Sequence, residues 1–254
     1  MNSDRPQRSS KARSADRRPQ RPGSRPFKRS APSDKNSSPS RRGDKRASDR
    51  PIRKVRIEPV IAEDVEAKAL PGKVRAELLS LSAENAEVVA RQMVMIDRLL
   101  LSGSDDDLRL AHQFGKAAVD RAGRVGVVRQ YAGRAALSVK EFAEAKKDFS
   151  AAWRILGLSI LKVYLAECEV GLGKARKALE ILGEVKADAL SQREVIYARL
   201  ISAQAREALG QREAALVTLS ARSEEFLAKL GEEDRSLMER WHDLKKRLES
   251  TGNT

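Results

Sequence analysis

The amino-acid sequence predicts an all-α fold, an α-solenoid of stacked helical hairpins preceded by a disordered basic tail. Three observations predict this class. All nine prolines of the 254-residue chain lie at or before Pro71. Beyond Pro71, apolar residues recur at intervals of three and four, and good helix formers predominate. Alanines with matching neighbours also recur about every 34 residues, a period typical of helix–turn–helix repeats.

The first 57 residues differ from the rest of the chain in charge and in apolar content. They hold 19 Lys and Arg against 5 Asp and Glu, whereas the remaining residues hold 31 of each, so the net charge of +14 belongs to this segment. No Val, Leu or Ile precedes Ile52. Such a segment cannot bury enough apolar surface to offset the entropy of ordering it. We therefore predict a disordered tail at 1–57, a linker at 58–71 and a helical repeat domain at 72–250.

Start and stop signals divide this domain into about ten helices. Ser82 is predicted to cap a helix that runs to about Leu101 and ends at Gly103. Ser104 then begins the next helix, with Asp107 at the spacing of a capping box. Further signals of the same kinds stand at Gly123, Ser191 and Glu194.

The chain closes with an amphipathic segment at 230–250 that we interpret as a capping helix. Its C-terminal Lys and Arg residues complement the negative end of the helix dipole. Both tryptophans, Trp153 and Trp241, are expected to be core or cap residues rather than ligand contacts.

Three segments of the body superpose on one another: YAGRAALSVKEFAEAKKDF, YLAECEVGLGKARKALEIL and LISAQAREALGQREAALVTL. Each predicts a helix of small residues, a tight turn, and a second helix with alanine and a bulky residue four positions on. With a weaker earlier copy, the aligned alanines are Ala111, Ala145, Ala178 and Ala215. Equivalent small residues in the first helices are Gly133, Ala166 and Ala203. Small residues let the two helices of a hairpin approach closely, and stacked hairpins bury what one cannot.

Residues 129–157 carry the clearest copy, and this copy resembles the tetratricopeptide repeat. Gly133 stands at the family's glycine, and Phe142 at its aromatic residue after the turn. The family's Ala–Phe–Ala series is matched by Ala145, Phe149 and Ala152. Departures from the family pattern are Arg129 at its tryptophan, Gly157 at its closing proline and Ala135–Ala136 at its second small/Tyr pair.

A larger part of the chain is similar to a group of actinobacterial repeat proteins with a basic, low-complexity N-terminus. That similarity rests on VRAELLSLSAENAEVVARQMVMIDRLL, RAGRVGVVRQYAG and AECEVGLGKARKALEI. The repeat resemblance covers roughly residues 83–230. Together the two resemblances imply a stack of helical hairpins that binds a protein partner or a peptide on its concave face, and they imply no activity.

On the register of the tetratricopeptide family, the first helices of the repeats point eight side chains into that concave face. The predicted groove residues are Gln130, Arg134, Leu137, Val163, Glu167, Tyr197, Leu200 and Gln204. Their mixed charge signs define no class of peptide.

The basic tail is a second candidate site, because an Arg-rich chain binds phosphate backbones without needing a fold. The predicted polyanion-binding residues are Arg17, Arg18, Arg21, Arg25, Lys28, Arg29, Arg41, Arg42, Lys45, Arg46, Arg53, Lys54 and Arg56. Phe27 is the only aromatic residue there, so stacking on bases would be minimal. The ligand would be RNA, DNA or another polyanion, and a purely solubilising tail is the alternative.

Patterns for catalysis and metal binding are sparse. Neither His112 nor His242 has Cys, Asp or Glu at metal-ligand spacing on both sides. Cys168 occupies a small-residue helix contact, which favours a buried, unreactive thiol. The GLGK stretch at 171–174 lacks the preceding glycine and the following hydroxyl residue of a phosphate-binding loop. We therefore predict no enzymatic activity, no cofactor and no metal.

The sequence also bears on location. Cys168 is the only cysteine, so no intramolecular disulfide forms, which fits a reducing compartment. The apolar runs are too short to span a membrane. We expect a soluble cytoplasmic protein without a membrane partner.

Two functions remain open at this point. In the first, the helical body binds a protein partner and the tail tethers the complex to RNA or another polyanion. In the second, tail and body bind nucleic acid together, through a basic stripe on the body formed by Arg121, Arg124, Arg129 and Arg134. The zero net charge of the body favours the first. The sequence defines no oligomeric state.

Overall fold

The structure is a computed structural model that describes residues 58–219, 225–231 and 234–250. These residues form an all-helical body, and none of them lies in a β-strand. The α-helices with both ends described are α1 Gly72–Glu77, α2 Ala83–Ser102, α3 Asp105–Ala122, α4 Gly126–Ser138, α5 Phe142–Leu156, α6 Ile160–Gly171, α7 Ala175–Gly183, α8 Gln192–Ala208, α9 Arg212–Thr218 and α10 Arg235–Ser250. Short 3-10 helices lie at Ala67–Ala69, Leu78–Ser80 and Ala187–Ala189.

Most helix ends lie where the local signals predict them. Gly103 ends α2 in the left-handed conformation, with φ of 72°, and its N–H donates to the carbonyl of Leu99. Ser104 caps α3 by accepting from the N–H of Asp107 at 3.2 Å. A complete capping box opens α8. Two signals act differently from a standard cap: the Ser82 side chain makes no capping bond, and Gly123 follows α3 with φ of −65°.

The prediction of a linker at 58–71 is wrong. Val65 and Leu70 are buried in the first core cluster. The Arg91 guanidinium donates to the carbonyl of Val65 at 2.8 Å, and Arg121 forms an ion pair with Glu58 at 2.8 Å. These contacts fasten the segment onto α2 and α3, so it belongs to the folded body.

The packing of the helices follows their order in the chain. From α2 to α9 each helix contacts the next, and α2 with α4 and α6 with α8 also pack together. The core is correspondingly divided into successive clusters, from the α2–α4 region through the α4–α6 and α6–α8 regions to the α8–α10 region. All four aligned alanines are fully buried within these clusters.

Two glycines in the middle of the body allow aromatic rings to approach the helix backbone closely. A Cβ added at Gly133 would lie 2.7 Å from the Phe149 ring, and one at Gly171 would overlap the ring of Phe142. Phe149 is fully buried and stacks on Tyr164 with 4.8 Å between ring centroids. Aromatic rings of α5 therefore fill the spaces that glycines leave on the helices to either side, α4 and α6.

The two tryptophans differ in position. Trp241 is fully buried, in the cluster that joins α10 to α8 and α9, as expected of a cap residue. Trp153 is 40% exposed, with the ammonium group of Lys162 5.2 Å from its ring centroid, so the expectation of a core position is wrong for it.

Within the described ranges, no helix has both the length and the apolar character needed to cross a bilayer.

Candidate binding groove

A groove with a volume of about 1320 Å³ runs across the body. Residues from α2, α4, α6, α8 and α10 line it, with contributions from the starts of α3 and α5. The lining residues are Leu100, Leu101, Ser102, Gly103, Leu108, Arg134, Leu137, Ser138, Lys140, Phe142, Tyr164, Glu167, Val170, Gly171, Tyr197, Gln204, Glu207, Ala208, Arg235, Ser236, Glu239, Arg240 and Arg247. We call this surface the groove.

Of the eight predicted groove residues, five line this surface: Arg134, Leu137, Glu167, Tyr197 and Gln204. The other three do not. Val163 and Leu200 are fully buried in core clusters, because neighbouring helices close over the apolar faces that carry them. Gln130 is half-buried and lies outside the groove lining.

The Glu167 carboxylate of α6 accepts hydrogen bonds from side chains of α8 and α10. Arg240 of α10 donates to Glu167 Oε1 at 2.5 Å, and the Tyr197 hydroxyl donates to Oε2 of the same carboxylate. The Arg240 guanidinium also lies over the Tyr197 ring, 5.7 Å from its centroid. Burial raises the pKa of Tyr197 well above its ordinary value, and the charge of Glu167 raises it further, so this phenol stays a hydrogen-bond donor.

A second fixed group lies on α4. Arg134 forms an ion pair with Asp97 of α2 at 2.8 Å and lies over the Tyr131 ring at 5.4 Å from its centroid. Between the two arginine sites, Tyr164 contacts the ring of Tyr197 at a centroid distance of 5.4 Å. Ion pairs and ring contacts together hold these side chains in place before any ligand binds.

The two ends of the groove differ in chemistry. Its α2–α4 end is aliphatic, with lining residues Leu100, Leu101, Leu108 and Leu137. Leu101 is 72% exposed. Its α10 end is charged with both signs, and there Arg247 pairs with Glu207 at 3.0 Å. A ligand would therefore contact apolar surface at one end and ionic side chains at the other.

Sequence reasoning missed the contribution of α10 to this groove. Arg240 and Glu167 are 73 positions apart, and neither belongs to a recognisable pattern. The sequence of α10 offered one signal, its Lys and Arg residues. Such residues near a helix C-terminus are explained by the helix dipole, so they did not indicate a contact with α6.

The groove lining does not include the residues considered for catalysis or metal binding, Cys168, His112 and His242. Cys168 is fully buried, and burial raises the pKa of its thiol to about 12. His112 Nε2 lies 3.1 Å from a carboxylate oxygen of Glu144, while His242 is exposed on α10. Gly173 of the GLGK stretch takes φ of 73° in the α6–α7 turn. The residues that the structure describes contain no cluster of three or more metal-ligating side chains.

Three of the four arginines in the basic stripe of the alternative hypothesis are half-buried and engaged in ion pairs. Arg121 pairs with Glu58, Arg129 donates to Asp148 at 2.5 Å, and Arg134 pairs with Asp97. Arg124 is exposed. The predicted polyanion-binding residues of the tail, from Arg17 to Arg56, lie outside the described residues.

No family model matches this chain, and neither the curated proteins nor the solved structures contain a detectable match to it.

Proposed function

We propose that this protein is a non-catalytic interaction scaffold with a tetratricopeptide-like α-solenoid body. A protein partner or an exposed peptide binds in the groove. The basic tail at 1–57 tethers the resulting complex to RNA or another polyanion.

The observation that carries this proposal is the form of the groove. It is open and large, and every second helix from α2 to α10 contributes to its lining in the order of the chain. Repeat proteins of this kind bind extended partners on such surfaces. Several of its ionic side chains are already paired within the body, as Arg134 is with Asp97 and Arg240 with Glu167. Binding energy would therefore come mainly from apolar contacts such as those of exposed Leu101.

The tail supports the second part of the proposal through its charge. All of the chain's net charge of +14 lies within residues 1–57. If the tail neutralises about 8 phosphates, its affinity for RNA falls roughly a thousandfold or more between about 50 and about 200 mM salt. The body carries no net charge.

Affinity capture from lysate tests the two parts separately. The full chain and residues 58–254 are each used as bait at low salt, with and without nuclease. We expect nucleic acid to follow only the full chain, and the same protein partner to follow both baits after nuclease treatment.

Two other results would oppose the proposal. Retention of RNA by residues 58–254 would favour direct nucleic-acid binding by the body, through Arg124 and residues now engaged in ion pairs. Capture of no protein by either bait would remove the scaffold function.

A further inference from the structure

The N-terminal end of the body carries an apolar pit outside the groove. The pit has a volume of about 440 Å³ and lies between the segment 66–79 and the first half of α2. Leu78 and three alanines of α2 contribute to its walls, and Leu79 lies at its edge. Leu79 is 81% exposed, which leaves a large apolar side chain in solvent beside an apolar cavity.

Two acidic and two basic side chains surround this pit. Glu66 and Glu87 are the acidic residues, and Lys68 and Arg75 are the basic ones. Lys68 forms an ion pair with Glu66. Arg75 and Glu87 are both exposed, and the structure shows no ion pair for either within the described ranges. We call the pit, Leu79 and these four charges the N-terminal face.

We propose that the N-terminal face is a two-fold interface between two copies of this chain. A two-fold interface uses the same surface on both subunits, so that surface must be complementary to itself. The N-terminal face meets this condition in shape, because it has both a projecting leucine and a pit. It also meets the condition in charge, since Arg75 of one copy can pair with Glu87 of the other.

The chemistry of the face argues against other occupants. The tail of this chain has few large apolar side chains that could fill the pit, and three of them, Ile52, Val55 and Ile57, stand among Arg53, Lys54 and Arg56. The tail's charge of +14 also finds no matching excess of acidic residues on this face. A second copy presents one Glu87 for each Arg75, so both charges can pair across the two-fold axis.

The expected dimer is weak and depends on concentration. About ten residues from each copy line this face, against the 20–30 residues per side of a standard stable interface. Sedimentation velocity on the full chain, over a series from about 1 to about 100 μM, measures the association. A salt concentration of about 0.15 M screens repulsion between the two basic tails.

Three single variants and one double variant test the interface. Leu79→Asp should weaken the dimer at least about a hundredfold, because each dimer loses two buried leucines. Arg75→Glu and Glu87→Arg should each weaken it by juxtaposing like charges. The double variant Arg75→Glu/Glu87→Arg should restore it, since the pairs re-form with reversed sign.

The control is Val217→Asp, which places the same charge at an exposed aliphatic residue, 74% against 81% for Leu79, outside both the N-terminal face and the groove. This variant should dimerise like the wild-type chain, and all variants should give the wild-type far-UV circular dichroism spectrum. A wild-type chain that stays monomeric at every concentration would overturn the proposal. So would a dimer that persists in Leu79→Asp, or a double variant that does not recover. Capture of a partner in the groove is a separate readout, so failure of the dimer leaves the scaffold proposal standing.

Discussion

Replacement of Gly133 by alanine tests the close contact between α4 and α5. The added Cβ would lie 2.7 Å from Cε1 and 2.8 Å from Cδ1 of Phe149, roughly 1 Å inside van der Waals contact. The ring cannot retreat freely, because it is fully buried and stacks on Tyr164. Overpacking of this kind costs about 1–3 kcal/mol, while alanine gains about 1 kcal/mol over glycine in a helix. We expect the free energy of unfolding to fall by up to about 2 kcal/mol.

Gly183 provides a matched control for this substitution. It is the last residue of α7, and a Cβ there would meet no atom within 4 Å. Because Gly183→Ala changes helix propensity in the same direction without a clash, it should be neutral or stabilising. The difference between the two variants in urea unfolding, followed by circular dichroism, then isolates the clash at about 1–3 kcal/mol. If Gly133→Ala is as stable as Gly183→Ala, α4 and α5 do not pack as described. Partial recovery by an added Phe149→Leu change would support the contact.

Three further predictions concern buried side chains. Cys168 should resist iodoacetamide at neutral pH in the native chain and react after unfolding in urea, since burial raises its pKa to about 12; rapid native labelling would contradict that burial. Burial of Glu169 opposes ionisation of its carboxyl group, but Lys146 and Lys177 hold the pKa of that group below its ordinary value. The ionised carboxylate therefore stabilises the fold at neutral pH, and this stabilisation is lost as the pH falls through the lowered pKa. Glu169→Gln should therefore flatten the acid side of a stability–pH profile, and an unchanged slope would refute this assignment. Trp241→Ala should cost about 3–5 kcal/mol in urea unfolding, and a cost below about 1 kcal/mol would mean that α10 is not docked.

Features set by nearby residues could be predicted from the sequence. Gly103 and Ser104 end one helix and begin the next because the required backbone conformation and capping oxygen lie within a few positions of each other. The aligned alanines could also be placed inside, because only small side chains fit where helices approach closely.

Features set by distant residues could not be predicted in this way. Val163 and Glu167 lie one turn apart on α6, yet one is in the core and the other lines the groove. Which of them lines the groove depends on how α7, α8 and α10 pack, and local periodicity does not contain that information. The linker prediction for segment 58–71 fails because the contacts that hold this segment come from distant residues, Arg91 on α2 and Arg121 on α3.

The central claim is that the groove, rather than another surface of the body, binds a protein partner. Leu101→Asp and Val217→Asp place the same charge at aliphatic residues of nearly equal exposure, 72% and 74%, of which only Leu101 lines the groove. The measurement is the amount of partner that each full-length variant retains from nuclease-treated lysate, relative to the wild-type chain. We predict loss of the partner in Leu101→Asp and wild-type retention in Val217→Asp. Equal retention by both variants, or loss in Val217→Asp alone, would contradict the claim.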